Sequence, residues 1–257
     1  MNDLRLTEVS LSQRAKEKIH KYISKMELDK SNKLPREETL AEIIGVSRVT
    51  IRKALDDLSA EGIVFRRQGK GTFVNVDSLN IKVKFNPAME FTQMIKKCGY
   101  EPSVKLLSIQ TVPWDEKIGN SLQLEKGSSL VRCEKLFLAD EKICACCIDY
   151  FDIALIGGKA AYEDFKRFER SVFNYIYSYS KETIEWDKIE IDCVLGTDIP
   201  DFMNYVTDES YGSKPYLRLR GVDYSPEDKP LIYAEEYIDT GIIQFSMIRQ
   251  RQVRYEE

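Results

Sequence analysis

The stretch GVSRVTIRKALDDLSAEGIVFRRQGKGTFV, residues 45–74, concentrates six cations in a chain whose formal charge is −4. Arg48, Arg52 and Lys53 fall within six residues, with Thr50 among them, and Arg66, Arg67 and Lys70 surround Gln68 and Gly69. Guanidinium forks and ammonium groups bind phosphates, and arginine also reads the acceptor edge of guanine. Residues 1–75 hold 15 Lys/Arg against 11 Asp/Glu, and residues 76–257 hold 23 against 31. A basic end on an acidic body points to an anionic partner for the first part alone. A lone RxxxRK pattern is more often the solvated face of a structural helix, so the elements around it must decide.

Those elements arrive in a definite order. Apolar residues at Leu11, Ala15, Ile19, Ile23 and Met26 predict an amphipathic helix of about four turns. DKSNKLP breaks it, and a short helix over 37–44 stops at Gly45. Ser47 is a good N-cap for a further helix, with Ile51, Ala54, Leu55 and Leu58 as its buried stripe and Gly62 closing it. Two short strands, 63–67 and 72–74, turn through Gln68-Gly69-Lys70-Gly71. The pattern is a helix-turn-helix with a β-hairpin wing. A helix of this kind enters the major groove of double-stranded DNA with its first turns at the base edges. Arg48, Thr50 and Arg52 have that placement, Lys53 suits a backbone phosphate, and Arg66, Arg67 and Lys70 surround the wing glycine with charge suited to phosphate or a narrow minor groove.

The remaining chain reads as a separate α+β unit. Residues 76–88 look like a linker, giving a division into 1–75, 76–88 and 89–257. Strand-like runs at 104–112, 129–139, 142–151, 189–195, 215–224, 230–238 and 244–255 alternate with helical patterns at 89–97, 114–122, 172–179 and 199–205. Hairpins at 139–141 and 225–229 imply an antiparallel sheet with helices to one side. No run reaches the roughly 18 apolar residues of a membrane-spanning helix, and the start Met1-Asn2-Asp3 is no signal peptide, so the expected address is the cytoplasm. The six cysteines read as reduced packing thiols. In CACC, strand alternation turns Cys144 and Cys146 one way and Cys147 the other. With His20 as the sole histidine and no paired zinc-type spacing, neither metal nor cofactor is expected.

Residues 34–74, LPREETLAEIIGVSRVTIRKALDDLSAEGIVFRRQGKGTFV, resemble the winged-helix domain of GntR-type bacterial transcription regulators. The resemblance implies that Arg48, Thr50 and Arg52 read an operator and that Gly69, beside Gln68, marks the wing tip. The chain departs from the pattern at two positions: Glu38 stands where the family usually has arginine, and Arg36 where it has serine.

From about Phe85 the chain resembles the UTRA effector-binding domain of the HutC subgroup, through FTQMIKKCGYEPSVKLLS (91–108), LFLADEKICACCIDYF (136–151), SVFNYIYS (171–178) and KPYLRLRGVDYSPEDKPLIYAEEYI (214–238). That resemblance implies a homodimer, a chorismate-lyase-like fold and a small-molecule pocket, and two heads on a two-fold dimer are expected to prefer an inverted-repeat operator. Many such domains bind sugar phosphates through two arginines of an RxR strand and a serine. Here those positions hold Lys135, Phe137 and Glu90, and the usual glutamate of the next strand is Cys147. The expected effector is therefore unphosphorylated. The candidate contacts are Thr92, Lys135, Asp149, Tyr150, Glu235 and Tyr237. The expected function is a DNA-binding regulator released by a metabolite. The alternatives are a constitutive DNA-binding protein with a degenerate pocket, or a chorismate-lyase-like enzyme.

Overall fold

The structure is a computed structural model and describes residues 10–165 and 171–248. The chain divides into two compact units. Of the described residues, 10–88 and 245–248 form one, and the rest of 89–244 the other.

In the first unit, α1 (Leu11–Ile23) starts at Ser10, whose hydroxyl oxygen accepts from the Gln13 amide. The short α2 (Glu37–Ile44) ends where Gly45 takes φ 77°, a backbone state that costs glycine nothing. Helix α3 (Arg48–Ala60) is capped by Ser47, which accepts from the Thr50 amide at 3.1 Å. Such a cap contributes about 1 kcal/mol. Ile51, Ala54, Leu55 and Leu58 of α3 lock against Ile19, Ile23 and Leu40 in a single core. Each large aliphatic side chain buried there contributes about 1.5–3 kcal/mol. Strands β1 (Val64–Arg67) and β2 (Gly71–Val74) pair antiparallel, so the expected winged helix-turn-helix forms.

Two features of this unit were not anticipated. Lys33, between α1 and α2, bridges to Phe73, and the Leu34 and Val74 amides donate across to Thr72 and Asn32, so the inter-helix segment lies along the wing. The expected linker carries a helical turn, α4 (Val76–Leu79), and a strand, β3 (Val83–Lys84). Strand β3 pairs in parallel with β10 (Phe245–Ser246), so the chain returns to its first unit. The division at 76–88 and 89–257 is corrected accordingly: fully buried Val83 and the Phe85–Phe245 ring contact at 5.3 Å tie these segments together. Of the expected strand at 244–255, residues beyond 248 lie outside the described residues.

The second unit is built on a six-stranded antiparallel sheet. Its strands are β4 (Pro102–Val112), β5 (Leu130–Ala139), β6 (Lys142–Asp152), β7 (Trp186–Leu195), β8 (Pro215–Tyr224) and β9 (Pro230–Ile238), in the order β4-β5-β6-β9-β8-β7. Asp140 and Glu141 both take positive φ in the tight β5–β6 hairpin. The helices are α5 (Phe91–Cys98), α6 (Glu116–Ser121), α7 (Lys159–Phe165), α8 (Val172–Ser180) and α9 (Ser210–Ser213). They do not keep to one side. Phe165, Val172, Tyr175 and Ile176 cover the face bearing Val131, Cys133, Phe151 and Ile232. Ile199, Phe202 and Tyr211 cover the opposite face, which bears Leu136, Cys146, Ile148 and Tyr237. Strands in the middle of the sheet bury side chains on both faces, and both faces must be covered.

Candidate functional site

Arg48 is the first residue of α3, and its Nη2 lies 2.7 Å from Oε1 of Glu38 in the first turn of α2. One turn later, Arg52 donates from Nε and Nη2 to Oε2 of Glu37, at 3.2 and 2.9 Å. That hydrogen bond and the carboxylate's field raise the Arg52 pKa. Glu37 also draws in Arg66 of the wing at 3.5 Å, and Asp56 holds the other end of the same guanidinium at 2.6 Å. Neighbouring carboxylates therefore direct three arginines from α3 and β1, and all three stay substantially exposed. Thr50 is partly buried, with its hydroxyl 2.8 Å from that of Ser47. Arg36 precedes α2 and Lys53 follows Arg52, both exposed.

At the wing, the Arg67 guanidinium lies 5.2 and 5.1 Å from the rings of Phe65 and Phe73, which stack at 5.8 Å. The aromatic pair gives the cation a firm seat. Gln68, Gly69 and Lys70 are exposed at the tip. Gly69 takes φ 69° with nothing within 4 Å of where a Cβ would sit, so backbone conformation and not crowding requires glycine.

The six candidate effector residues do not meet in one place. Register puts Lys135, Cys147 and Glu236 on one face of the sheet, with Asp149 and Asp223 nearby on that face. Tyr150, Glu235 and Tyr237 project from the opposite face, joined by a 2.8 Å bond from the Tyr237 hydroxyl to Glu235. Alternation along β6 and β9 sends Asp149 to one face and Tyr150, Glu235 and Tyr237 to the other. Thr92 is a partly buried residue in the first turn of α5, next to Phe91, whose ring packs 4.8 Å from that of Phe137.

Sequence reasoning named Asp149 and Tyr150 but missed the two groups to which they belong. On the first face, Asp149, Asp223 and Glu236 gather around the small residues Ala234 and Gly221. Burial raises their carboxyl pKa values to about 6, about 8 and about 8, and mutual repulsion adds to the shift at Asp223 and Glu236, while Lys135 opposes it at Asp149. On the second face, buried Arg132 holds Glu134 at 2.6 Å and Asp201 at 3.0 Å, and donates to the Tyr150 hydroxyl. Burial works against the Arg132 charge, but the Tyr150 bond and the carboxylate fields outweigh it and raise the pKa. Glu134 also accepts from Ser108 at 2.6 Å. Alternating charge in VRCEK was the available signal, but it gave no hint that both charges are interior.

Cys133, Cys144, Cys146 and Cys147 are buried packing groups, whereas Cys98 is partly buried and Cys193 is exposed, contrary to the expectation for all six. Burial pushes Cys133, Cys144 and Cys146 up to about 12 and raises Cys147 well above its usual value. Such thiols stay protonated and are poor nucleophiles. Among the described residues, no group of three or more His, Cys, Asp or Glu is placed to hold a metal ion, and no helix is long and apolar enough to cross a membrane.

A capped helix flanked by a shorter helix and a glycine-tipped wing, in one chain with a six-stranded antiparallel domain, defines a two-domain winged helix-turn-helix regulator. Residues 11–74 match the bacterial regulatory proteins, gntR family, and residues 97–194 match the UTRA domain. The chain therefore joins a DNA-binding domain of the GntR type to a UTRA domain. It is 27% identical to the HTH-type transcriptional repressor NagR of Bacillus subtilis (strain 168), over 75% of this chain and 76% of that one. It is 31% identical to the uncharacterized HTH-type transcriptional regulator YurK of the same organism, over 49% of this chain and about half, 51%, of that relative. The crystal structure of possible transcriptional regulator YydK from Bacillus subtilis subsp. subtilis str. 168 shares the fold, with a TM-score of 0.67 at 15% identity, covering 94% of this chain and 100% of that one.

Proposed function

We propose that this protein is a sequence-specific DNA-binding transcription repressor whose grip on its operator is set by a small metabolite bound in the UTRA unit. The observation that carries this reading is the trio Arg48, Arg52 and Arg66, two on the first turns of a capped helix and one on the wing strand, all exposed and already directed by Glu37 and Glu38. Side chains held in one direction lose less freedom on binding. Arg36, Lys53, Arg67, Gln68, Gly69 and Lys70 add contacts to phosphates and at the wing, and Thr50 offers its methyl to a base. The name of NagR supports repression as the sense of control. A cytoplasmic homodimer would present two heads to an inverted-repeat operator. Selection from randomised duplexes, with sedimentation of the protein, tests this. A two-fold symmetric site and a dimer are expected, whereas an asymmetric site bound by a monomer overturns that arrangement.

The effector reading rests on the face that bears Lys135. Position 137 is phenylalanine, position 147 is cysteine, and three carboxyl groups lie nearby without a hydrogen bond or ion pair among the described residues. A phosphate dianion there would meet the Asp149 carboxylate and a desolvation cost of several kcal/mol, with one lysine in place of two guanidinium forks. It would also oppose loss of the protons of Asp223 and Glu236. An unphosphorylated ligand, neutral or bearing an amine, suits the acceptors. Calorimetry with a sugar and its 6-phosphate decides: micromolar binding of the phosphate form alone overturns this reading. The Phe91–Phe137 contact favours a second reading, a pocket closed by its own side chains in a constitutive regulator. A ligand-dependent rise in melting temperature argues against that one.

A further inference from the structure

The two carboxylates at the start of α2 are not equivalent. Glu37 is largely enclosed and occupied by Arg52 and Arg66. Glu38 is half exposed and holds only Arg48, through Oε1. Its Oε2 has no hydrogen bond or ion pair among the described residues. The 2.7 Å contact to Arg48 fixes this carboxylate beside the first residue of α3, where a recognition helix reaches base edges. A carboxylate held among cations that face a polyanion is repelled by every phosphate. The major groove offers it donors only at the amino groups of cytosine and adenine. Adenine sets its N7 acceptor beside that amino group and repels a carboxylate, whereas cytosine presents N4 alone. Arg48 has donors left for the O6 and N7 of a guanine next to that cytosine.

We infer that Glu38 and Arg48 form one base-reading pair, in which Glu38 determines specificity by accepting from a cytosine N4 amino group while Arg48 takes the adjoining guanine edge. The inference rests on the reading of the first unit as a DNA-binding head. It assigns a function to the residue at which this chain departs most sharply in charge from the pattern it otherwise follows.

The test uses the full chain and a duplex series that substitutes each base pair of the selected operator in turn. The wild type, Glu38→Ala, Glu38→Gln and Arg52→Ala are compared by anisotropy, and melting temperature checks folding. Glu38→Ala is expected to lose roughly tenfold discrimination at one C·G pair per half-site, with preferences elsewhere and melting temperature unchanged. Glu38→Gln is expected to move the preference at that pair towards adenine, whose N6 and N7 suit an amide. If both variants keep the wild-type preference at every position while Arg52→Ala weakens binding, this inference is overturned and the DNA-binding reading stands. If the wild type itself shows no preference among duplexes, the DNA-binding reading falls and takes the pair with it.

Discussion

The ion pairs around α2 and α3 lie on the surface, whereas the second unit, besides exposed pairs such as Arg220 with Glu190, buries one at Arg132 and Glu134. Arg48, Arg52 and Arg66 meet carboxylates where water competes, so each pair contributes little to stability and can exchange its partner for a phosphate or a base. Arg132 and Glu134 make the same chemical contact with the carboxylate side chain only 1% exposed. There, neither partner can leave without exposing the other to an apolar interior. On the proposed function, the same functional groups serve recognition in one unit and architecture in the other, and burial decides which.

The largest effect that would break this contrast is predicted for Glu134→Ala. Removing the acid leaves the Arg132 charge facing Tyr150 and Asp201 alone, and should cost about 3–5 kcal/mol in urea unfolding of the chain. A loss below about 1 kcal/mol would place this pair with the surface pairs.

The raised carboxyl groups give a pH dependence with a definite sign. Asp149, Asp223 and Glu236 keep their protons in the folded state up to about 6, 8 and 8, while the unfolded chain releases them near the ordinary carboxylate range. The folded state therefore binds more protons across the interval, and stability falls as pH rises from about 4 towards 8. Melting temperature measured from pH 5 to 8 should drop, and Glu236→Gln should flatten the slope. A melting temperature that climbs over this range would contradict the burial of these groups.

Smaller effects are expected at the surface. Arg52→Ala should weaken operator binding by about 1–3 kcal/mol and relax one position per half-site. Its urea midpoint should match that of the wild type, since it loses only an exposed pair. Lys70→Ala should act evenly on all sequences and lower the salt slope by about 0.9, the share of one phosphate. A sequence-dependent loss with Lys70→Ala would instead place the wing tip against base edges.

Much of this molecule is visible in short windows of sequence. The stripe Ile51, Ala54, Leu55, Leu58 and the cap at Ser47 announce α3, because helical periodicity and capping act over one or two turns. Likewise, β8 and β9 run over 215–224 and 230–238 as the apolar runs and the intervening turn require. The hidden parts all depend on contacts distant in sequence. Val83 pairs with Phe245, and Lys33 joins the wing at Phe73. Nothing local marks either segment.

The candidate sites divide in the same way. The sequence alone put Arg48 and Arg52 forward as candidates to meet DNA, because helical periodicity leaves both off the buried stripe of α3. It also determined that residues alternate along β5, β6 and β9. Only the tertiary structure decided which alternating sets share a face: register between strands places Lys135 with Asp149 and sends Tyr150, Glu235 and Tyr237 to the other side. The tertiary structure also set Glu38 against Arg48, ten positions and one turn away. Periodicity is a property of one element, whereas register and side-chain pairing arise only when two elements dock.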